Sequence, residues 1–533
     1  MTRPPAVAVR LALLAALSIP AAAPAGAPPG VDPAAIEAHV RFLADDLLEG
    51  RGIGTRGGAL AAAYHEAVFR AAGLRPGGPD GYVQPVPMTA FLPDPEARVA
   101  LERGGTRTIL QAGEDFAVVN CGLPEGALRG RPLFVGYGIE SAAEGWDDFK
   151  GADVRGRLLV AFVNEPGRDE PRRFGGRALT LHGRWRTKLE LAARKGAAGM
   201  LLVHTDADAG YAWAVARSTA TRPTLGLADD PARLPVGGWI REPAARELVE
   251  LAGFDLDELR RRAEQPSFRP VELPVSVELR SRLASHPVMG RNVVGVLPGV
   301  GEAAVVLTAH YDHLGVGRAV DGDSIYNGAA DNCTASAVLL ALAQACARTE
   351  EASRPTLVFV AADAEEEGLL GSIWQTRHPA VPLERVRGVV NFEMANPWGR
   401  TRDLMVIGAP RAAWAHWLGP VLAARAMRAT GDAVPEQGYL FRSDQLAWLE
   451  AGVPAAWVDG GVDYEGRPEG WGAARRAEYR AHRYHAPGDE VDGDFDYAGL
   501  AQLGEVVTEL VRRMAADGPG AWRDDPELTG MKR

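Results

Sequence analysis

The chain has 533 residues, more than one ordinary hydrophobic core accommodates, so two or more domains are expected. It is 47% hydrophobic and 24% charged, which excludes a disordered or membrane-embedded protein. Its 58 basic and 69 acidic residues give a net charge of −11, which argues against a nucleic-acid partner, since phosphates call for a basic face.

Residues 1–25 have the form of a secretory signal peptide: Arg3 and Arg10, an apolar run Leu11–Ile19, then small residues with an A-x-A site ending at Ala25. The apolar run is too short to span a bilayer, and no other segment is long and apolar enough. The expected destination is the periplasm or the medium, with no membrane span once the signal is removed. The three cysteines, Cys121, Cys333 and Cys346, do not make a disulfide framework, and Cys333 and Cys346, too far apart on one helix to bridge, read as buried free thiols.

The next segment, residues 31–90, is helical at its start. IEAHVRFLADDLL and GGALAAAYHEAVFRAAGL carry apolar residues at three- and four-residue spacing around the Gly-rich LEGRGIGTRGG. Two helices make a poor core alone, so they must pack on something else. Across residues 91–285 the texture changes to short β-type runs such as RPLFVGYGI and GRLLVAFVNEP, broken by Gly, Pro and Asp, with one helix, WRTKLELAARKGAAG. This region reads as a small β-rich domain inserted into the rest.

Residues 286–515 alternate strands and helices. NVVGVLP, AAVVLTAH, TLVFVAADA and GVVNFEM are near-continuous apolar strands, and TASAVLLALAQACAR is a helix between them. Such strands imply an α/β fold whose central mixed, mostly parallel sheet is flanked by helices. Residues 516–533 form a polar tail.

In open α/β sheets functional groups gather at the carboxyl ends of strands. That rule brings together His310 (after AAVVLTA), Glu365 and Glu366 (after TLVFVAADA), Glu393 (in GVVNFEM), Asp331 (in GAADN) and His485 (in RYHAPGDE). Nitrogen and oxygen donors without thiolate suit a pair of zinc ions, with manganese or cobalt as other divalent choices. Asp331 as a bridge, His310 with Glu393 on one ion and Glu366 with His485 on the other uses each group once. Extended alternation points Asp312 with His310, as its hydrogen-bond acceptor, and turns Tyr311 and His313 away. Glu365 is left as general base.

In order, TAHYDHLG, GDSIYNGAADN, EEEGLLGS, NFEM and RYHAPGDE resemble the M28 family of metallopeptidases. The resemblance implies the zinc-exopeptidase fold and places His310, Asp331, Glu366, Glu393 and His485 at metal positions, with Asp331 the bridge. Glu365 falls at the general base, Asp312 at the orienter of the first histidine, and Tyr484 at a tyrosine that in some members donates to the oxyanion. The implied mechanism is attack of a metal-bridging hydroxide on a peptide carbonyl. GYGIESAAEGWDDFKGADVRGRLLVAF and the segment WRTKLELAARKGAAGMLLVHTD resemble the protease-associated (PA) domain inserted in many such enzymes.

Two departures stand out. DNASG is usual after the bridging aspartate, where this chain has Asp331-Asn332-Cys333-Thr334-Ala335, and Glu393 stands where aspartate is more usual. The resulting expectation is an exported aminopeptidase acting on peptides or proteins with a free N-terminus. The alternatives are a carboxypeptidase or dipeptidase on the same metal core, or a non-catalytic binding protein on the same fold. Ser443 and Asp444, in FRSDQ, are candidates for shaping the pocket, while Arg442 reads as a structural arginine rather than a binder of a substrate carboxylate.

Overall fold

The structure is a computed structural model that describes residues 30–516 apart from 95, 120–126, 169, 230–233, 282–283, 349–354 and 409–414. The signal-peptide reading of residues 1–25, the tail beyond 516 and Cys121 lie outside the described residues. Cys333 and Cys346 are buried free thiols.

Helix α1 (Pro33–Leu43) starts where the Asp32 side chain accepts from the Ala34 N–H and Pro33 fixes the first turn. Helix α2 (Arg56–Ala71) starts at Thr55, whose hydroxyl accepts from the Gly58 N–H. Their buried faces, including Ile36, Val40, Ala61 and Phe69, enter one core with Val293, Leu340 and Val507 from far along the chain. The N-terminal helices are therefore built into the α/β body. Between them the buried Arg51 donates to the carbonyl oxygens of Tyr311 (2.7 Å), Leu43 (2.8 Å), Gly328 (3.1 Å) and Asn327. Gly50, at φ +64°, lies so close to the Tyr326 and Gly315 carbonyls that a Cβ there would come within 2.4 and 2.7 Å of them.

Strand β1 (Val83–Phe91) opens the large sheet and leads into the β-rich region. That region has its own six-stranded sheet among the described residues, centred on the buried parallel strands β2 (Leu158–Phe162) and β3 (Gly199–His204). Helix α3 (Trp185–Arg194) connects those two strands and packs through Leu189 and Ala192 onto a core with Val135, Leu202 and Trp239. Strand β4 (Thr224–Leu227) leaves this region and pairs antiparallel with β1, so it becomes an edge of the large sheet. Strand β5 (Val236–Arg241) then returns to the smaller sheet beside β3.

The large sheet continues with β6 (Ser285–Leu297), β7 (Ala304–His310), β8 (Thr356–Ala362), β9 (Val386–Asn391), β10 (Asp403–Ile407), β11 (Arg428–Thr430) and β12 (Ala455–Gly460). Its strand order is β4-β1-β6-β8-β7-β9-β12-β10-β11, with the short segment Arg75–Pro76 paired to β6. The middle four strands, β8-β7-β9-β12, run parallel, while antiparallel pairings flank them. Every residue of β7 and β8 is buried, as parallel strands covered on both faces require. Helix α4 (Thr334–Ala347) is apolar nearly all round and buried along almost its whole length, which places it between the sheet and the outer helices α1 and α5 (Ala498–Ala516). No helix among the described residues is long and apolar enough to cross a membrane.

Candidate metal centre

The parallel strands β7, β8 and β9 end side by side, and their ends carry the chemistry. His310 closes β7 and is fully buried. Its Nε2 lies 3.2 Å from Glu393 Oε1, 3.6 Å from Asp331 Oδ1 and 3.9 Å from Glu365 Oε2. His485 Nε2 lies 3.3 Å from Asp331 Oδ2 and 3.2 Å from Glu366 Oε2. The two oxygens of Asp331 thus face two different histidines, each with its own glutamate. All five residues expected to ligate metal come together here.

His313 joins them, against the expectation that it points away: its Nδ1 lies 2.7 Å from Glu366 Oε1. The alternation argument required extended backbone through residue 313, but β7 stops at His310. Tyr311 does turn away, and its hydroxyl donates to the Arg291 carbonyl at 2.7 Å. Two overlapping clusters result, His310–Asp331–Glu393 and His313–Asp331–Glu366, each with ligand atoms within 4.8 Å of one another. Gly328 (φ +57°) makes room for His313, since a Cβ there would approach the imidazole ring to 2.5 Å.

Asp312 is buried and holds more than a histidine. Its carboxylate accepts from the backbone N–H of Glu365 (3.1 Å) and of Glu366 (3.2 Å). Its Oδ1 is 3.5 Å from His310 Nδ1, whereas its backbone oxygen is nearer, at 3.2 Å. Around Glu393, the Ser443 hydroxyl donates to Oε2 at 2.5 Å and the Trp457 indole N–H donates to the backbone oxygen at 2.9 Å. Asn332 donates to the Phe392 carbonyl and accepts from the Met394 N–H, which ties the Asp331 loop to the Glu393 loop. The Asp331–Asn332 peptide is cis. Tyr484 stacks on His485 with ring centroids 3.9 Å apart and remains 42% exposed. Arg442 donates to the Ala209 carbonyl at 3.2 Å and lies over the Tyr211 ring, so it serves the contact with the β-rich region.

Burial disfavours the charged forms here, and neighbouring charges decide the outcome. Burial, reinforced by Glu393 and Glu366, holds the Glu365 carboxyl well above the usual range despite the nearby His310. The Glu366 carboxyl goes the other way: burial is outweighed by His485 and His313, which hold it well below that range. His485 is pushed up to about 10, because Glu366 and Asp331 overcome the effect of burial. Burial also raises Asp444 to about 7, with Glu393 and Asp312 adding to the rise. Carboxylates packed this closely repel one another, and imidazoles alone balance them only when protonated. Oxygen and nitrogen donors in two groups about a shared carboxylate fit divalent cations.

Residues 292–511 match the model of peptidase family M28. The resemblance to that family thus covers the part of the chain that carries the cluster. That match, with the cluster above, marks the protein as a metallopeptidase. No curated protein sequence matches it. Among solved structures, an aminopeptidase from an Aneurinibacillus species is similar at a TM-score of 0.52 and 16% identity, covering 93% of this chain and 96% of that one. That similarity concerns the fold. The zinc aminopeptidase BSAP from Bacillus subtilis (TM-score 0.45, 16% identity, 93% and 99% covered) and a peptidase M28 precursor from Shewanella amazonensis (TM-score 0.43, 18% identity, 93% and 99% covered) are more distant in shape.

Proposed function

We propose that this metallopeptidase is an exported two-zinc aminopeptidase that removes N-terminal residues from peptides. The observation that carries the reading is the position of Asp331, whose two carboxylate oxygens each face a different imidazole–glutamate pair. His310 and Glu393 would hold one ion, Glu366 and His485 the other, and Asp331 both, with His313 against the far oxygen of Glu366. Zinc fits the mixed nitrogen and carboxylate donors, although manganese or cobalt is chemically compatible. Bound there, the ions would supply Lewis acidity to the scissile carbonyl and to the attacking water.

The protein's own residues do the rest in this reading. Glu365, beside the cluster with Oε2 3.9 Å from His310 Nε2, takes a proton from water and returns it to the leaving amine. Asp312 fixes the backbone of both glutamates, and Ser443 fixes Glu393. Tyr484, stacked beside His485 and open to solvent, donates its hydroxyl to the developing oxyanion. Residues 91–285 act as an inserted PA-type domain, and residues 1–25 direct export.

The test is metal content by mass spectrometry on the purified protein, run with peptide panels carrying free or blocked N-termini. About two zinc equivalents and cleavage confined to unblocked peptides are expected. Cleavage of blocked peptides with a free carboxylate would make the protein a carboxypeptidase instead. Absence of both metal and turnover after zinc addition would leave a binding protein.

A further inference from the structure

Of the three consecutive glutamates, Glu367 is the one the metal centre does not use. Its side chain is only 11% exposed and takes its cation from the β-rich region: Arg222 Nη1 lies 2.5 Å from Oε1. The Leu225 N–H approaches the other oxygen at 3.4 Å. Arg222 stands two residues before Thr224, the first residue of β4, the strand by which that region joins the large sheet. One residue beyond Glu367, the Gly368 carbonyl accepts from Arg186 Nη1 at 2.8 Å, and Arg186 stands in the first turn of α3. The loop 365–368 is therefore gripped from two sides. Asp312 holds the amides of Glu365 and Glu366 from within, and two arginines of the β-rich region hold Glu367 and Gly368 from without.

The alternatives open to Glu367 show what the grip does. A shielded carboxylate beside Glu366 that lacks a cation swings either to solvent or toward the metal cleft. In the cleft it competes with Glu366 as a ligand. In solvent it drags the loop backbone that carries Glu365. A proton-transfer group displaced by an ångström loses much of its effect without any loss of substrate contacts.

We infer that Arg222 is a positioning residue: by pairing with Glu367 it sets the direction of Glu365 and Glu366, so the β-rich region governs turnover through a contact remote from the reacting atoms. The inference rests on the roles given above to Glu365 and Glu366.

It is tested by steady-state kinetics on an unblocked peptide substrate, zinc content and thermal melts for Arg222→Ala, Arg222→Lys, Glu367→Gln and the double variant Arg222→Ala/Glu367→Gln. The expected result for Arg222→Ala is a kcat lowered about tenfold to a hundredfold. KM should stay within about threefold, the split that marks loss of a transition-state rather than a binding interaction. Zinc should be retained, Arg222→Lys should recover most of the rate, and the double variant should be no slower than the worse single one. Arg261→Ala, which removes an exposed ion pair with Glu258 in the same region, should run at the wild-type rate. If Arg222→Ala does not fold, Glu367→Gln reads the same drop in kcat. An unaltered kcat in folded Arg222→Ala or Glu367→Gln, a loss that tracks lost zinc, or additive effects in the double variant would overturn the inference while leaving the peptidase reading intact. A wild-type protein inactive on every peptide would overturn both.

Discussion

The Asp489 carboxylate stands directly behind Asp331: its Oδ2 accepts from the Asp331 N–H at 3.1 Å and its Oδ1 from the Ala330 N–H at 3.0 Å. The Tyr479 hydroxyl donates to the same Oδ2 at 2.9 Å. The turn Ala329–Cys333, whose backbone leaves helical geometry at Asp331 and Asn332, is thus fixed through its amides by a second carboxylate, which in the proposed reading holds Asp331 toward both ions. Asp489→Ala should weaken metal binding about 10- to 100-fold, the usual effect of removing a group that orients a ligand. Tyr479→Phe, which spares both amide bonds, should weaken it less. Competition with a calibrated chelator measures both, and equal affinity in Asp489→Ala and the wild type would refute the role.

Much of this centre is legible in the sequence because strand ends are local features. Apolar runs identify β7, β8 and β9, and the polar residues that follow each run mark the cleft. His313 is not legible, since its direction depends on where β7 stops pairing. Asp489 is hidden for a different reason: it works on backbone amides, which carry no residue signature, although its place in RYHAPGDE is a pointer. The Arg222–Glu367 pair and the seating of β4 on β1 join residues distant in the chain, and edge pairing of that kind follows from tertiary packing rather than from propensity.

Arg51 binds the N-terminal segment to the loops that lead into the centre. Its guanidinium donates to four carbonyl oxygens and has almost no exposure to water, so truncation leaves buried acceptors without donors. Arg51→Ala should cost about 3 kcal/mol or more of stability. Arg51→Lys should restore only part of this, because an ammonium cannot reproduce the planar fork. Urea denaturation of the metal-free proteins reads the difference, and a midpoint within error of wild type for Arg51→Ala would contradict it.

His65 predicts how the fold responds to acid. It is fully buried among Tyr64, Phe69 and Tyr311, and its Nδ1 lies 2.8 Å from the Ala61 carbonyl. Burial lowers its pKa from 6.5 to about 4. The unfolded chain therefore binds this proton at a higher pH than the folded one. Stability from this group is present in full above pH 6.5 and falls as pH drops toward 4, by about 3 kcal/mol at most. His65→Phe should flatten the stability–pH curve across that window. An unchanged slope there would show that other groups control it.

Glu365 and Asp331 should separate catalysis from metal binding. Glu365 lies 3.9 Å from His310 but is assigned no ion, so Glu365→Gln should retain about two zinc equivalents. Its turnover should fall by about 10²- to 10⁴-fold, because the amide cannot accept and return a proton. Asp331→Ala removes the carboxylate that faces both histidines, and it should lose metal as well as activity. Stripping the wild type with a chelator should reproduce the Asp331→Ala phenotype and lower the melting temperature, since the carboxylates of Asp331, Glu366 and Glu393 are then left to repel one another. Zinc should reverse the stripping but not the Asp331 substitution. Near-wild-type hydrolysis by Glu365→Gln would move the base to another group, with Asp444 the first to examine because its buried carboxyl is raised to about 7.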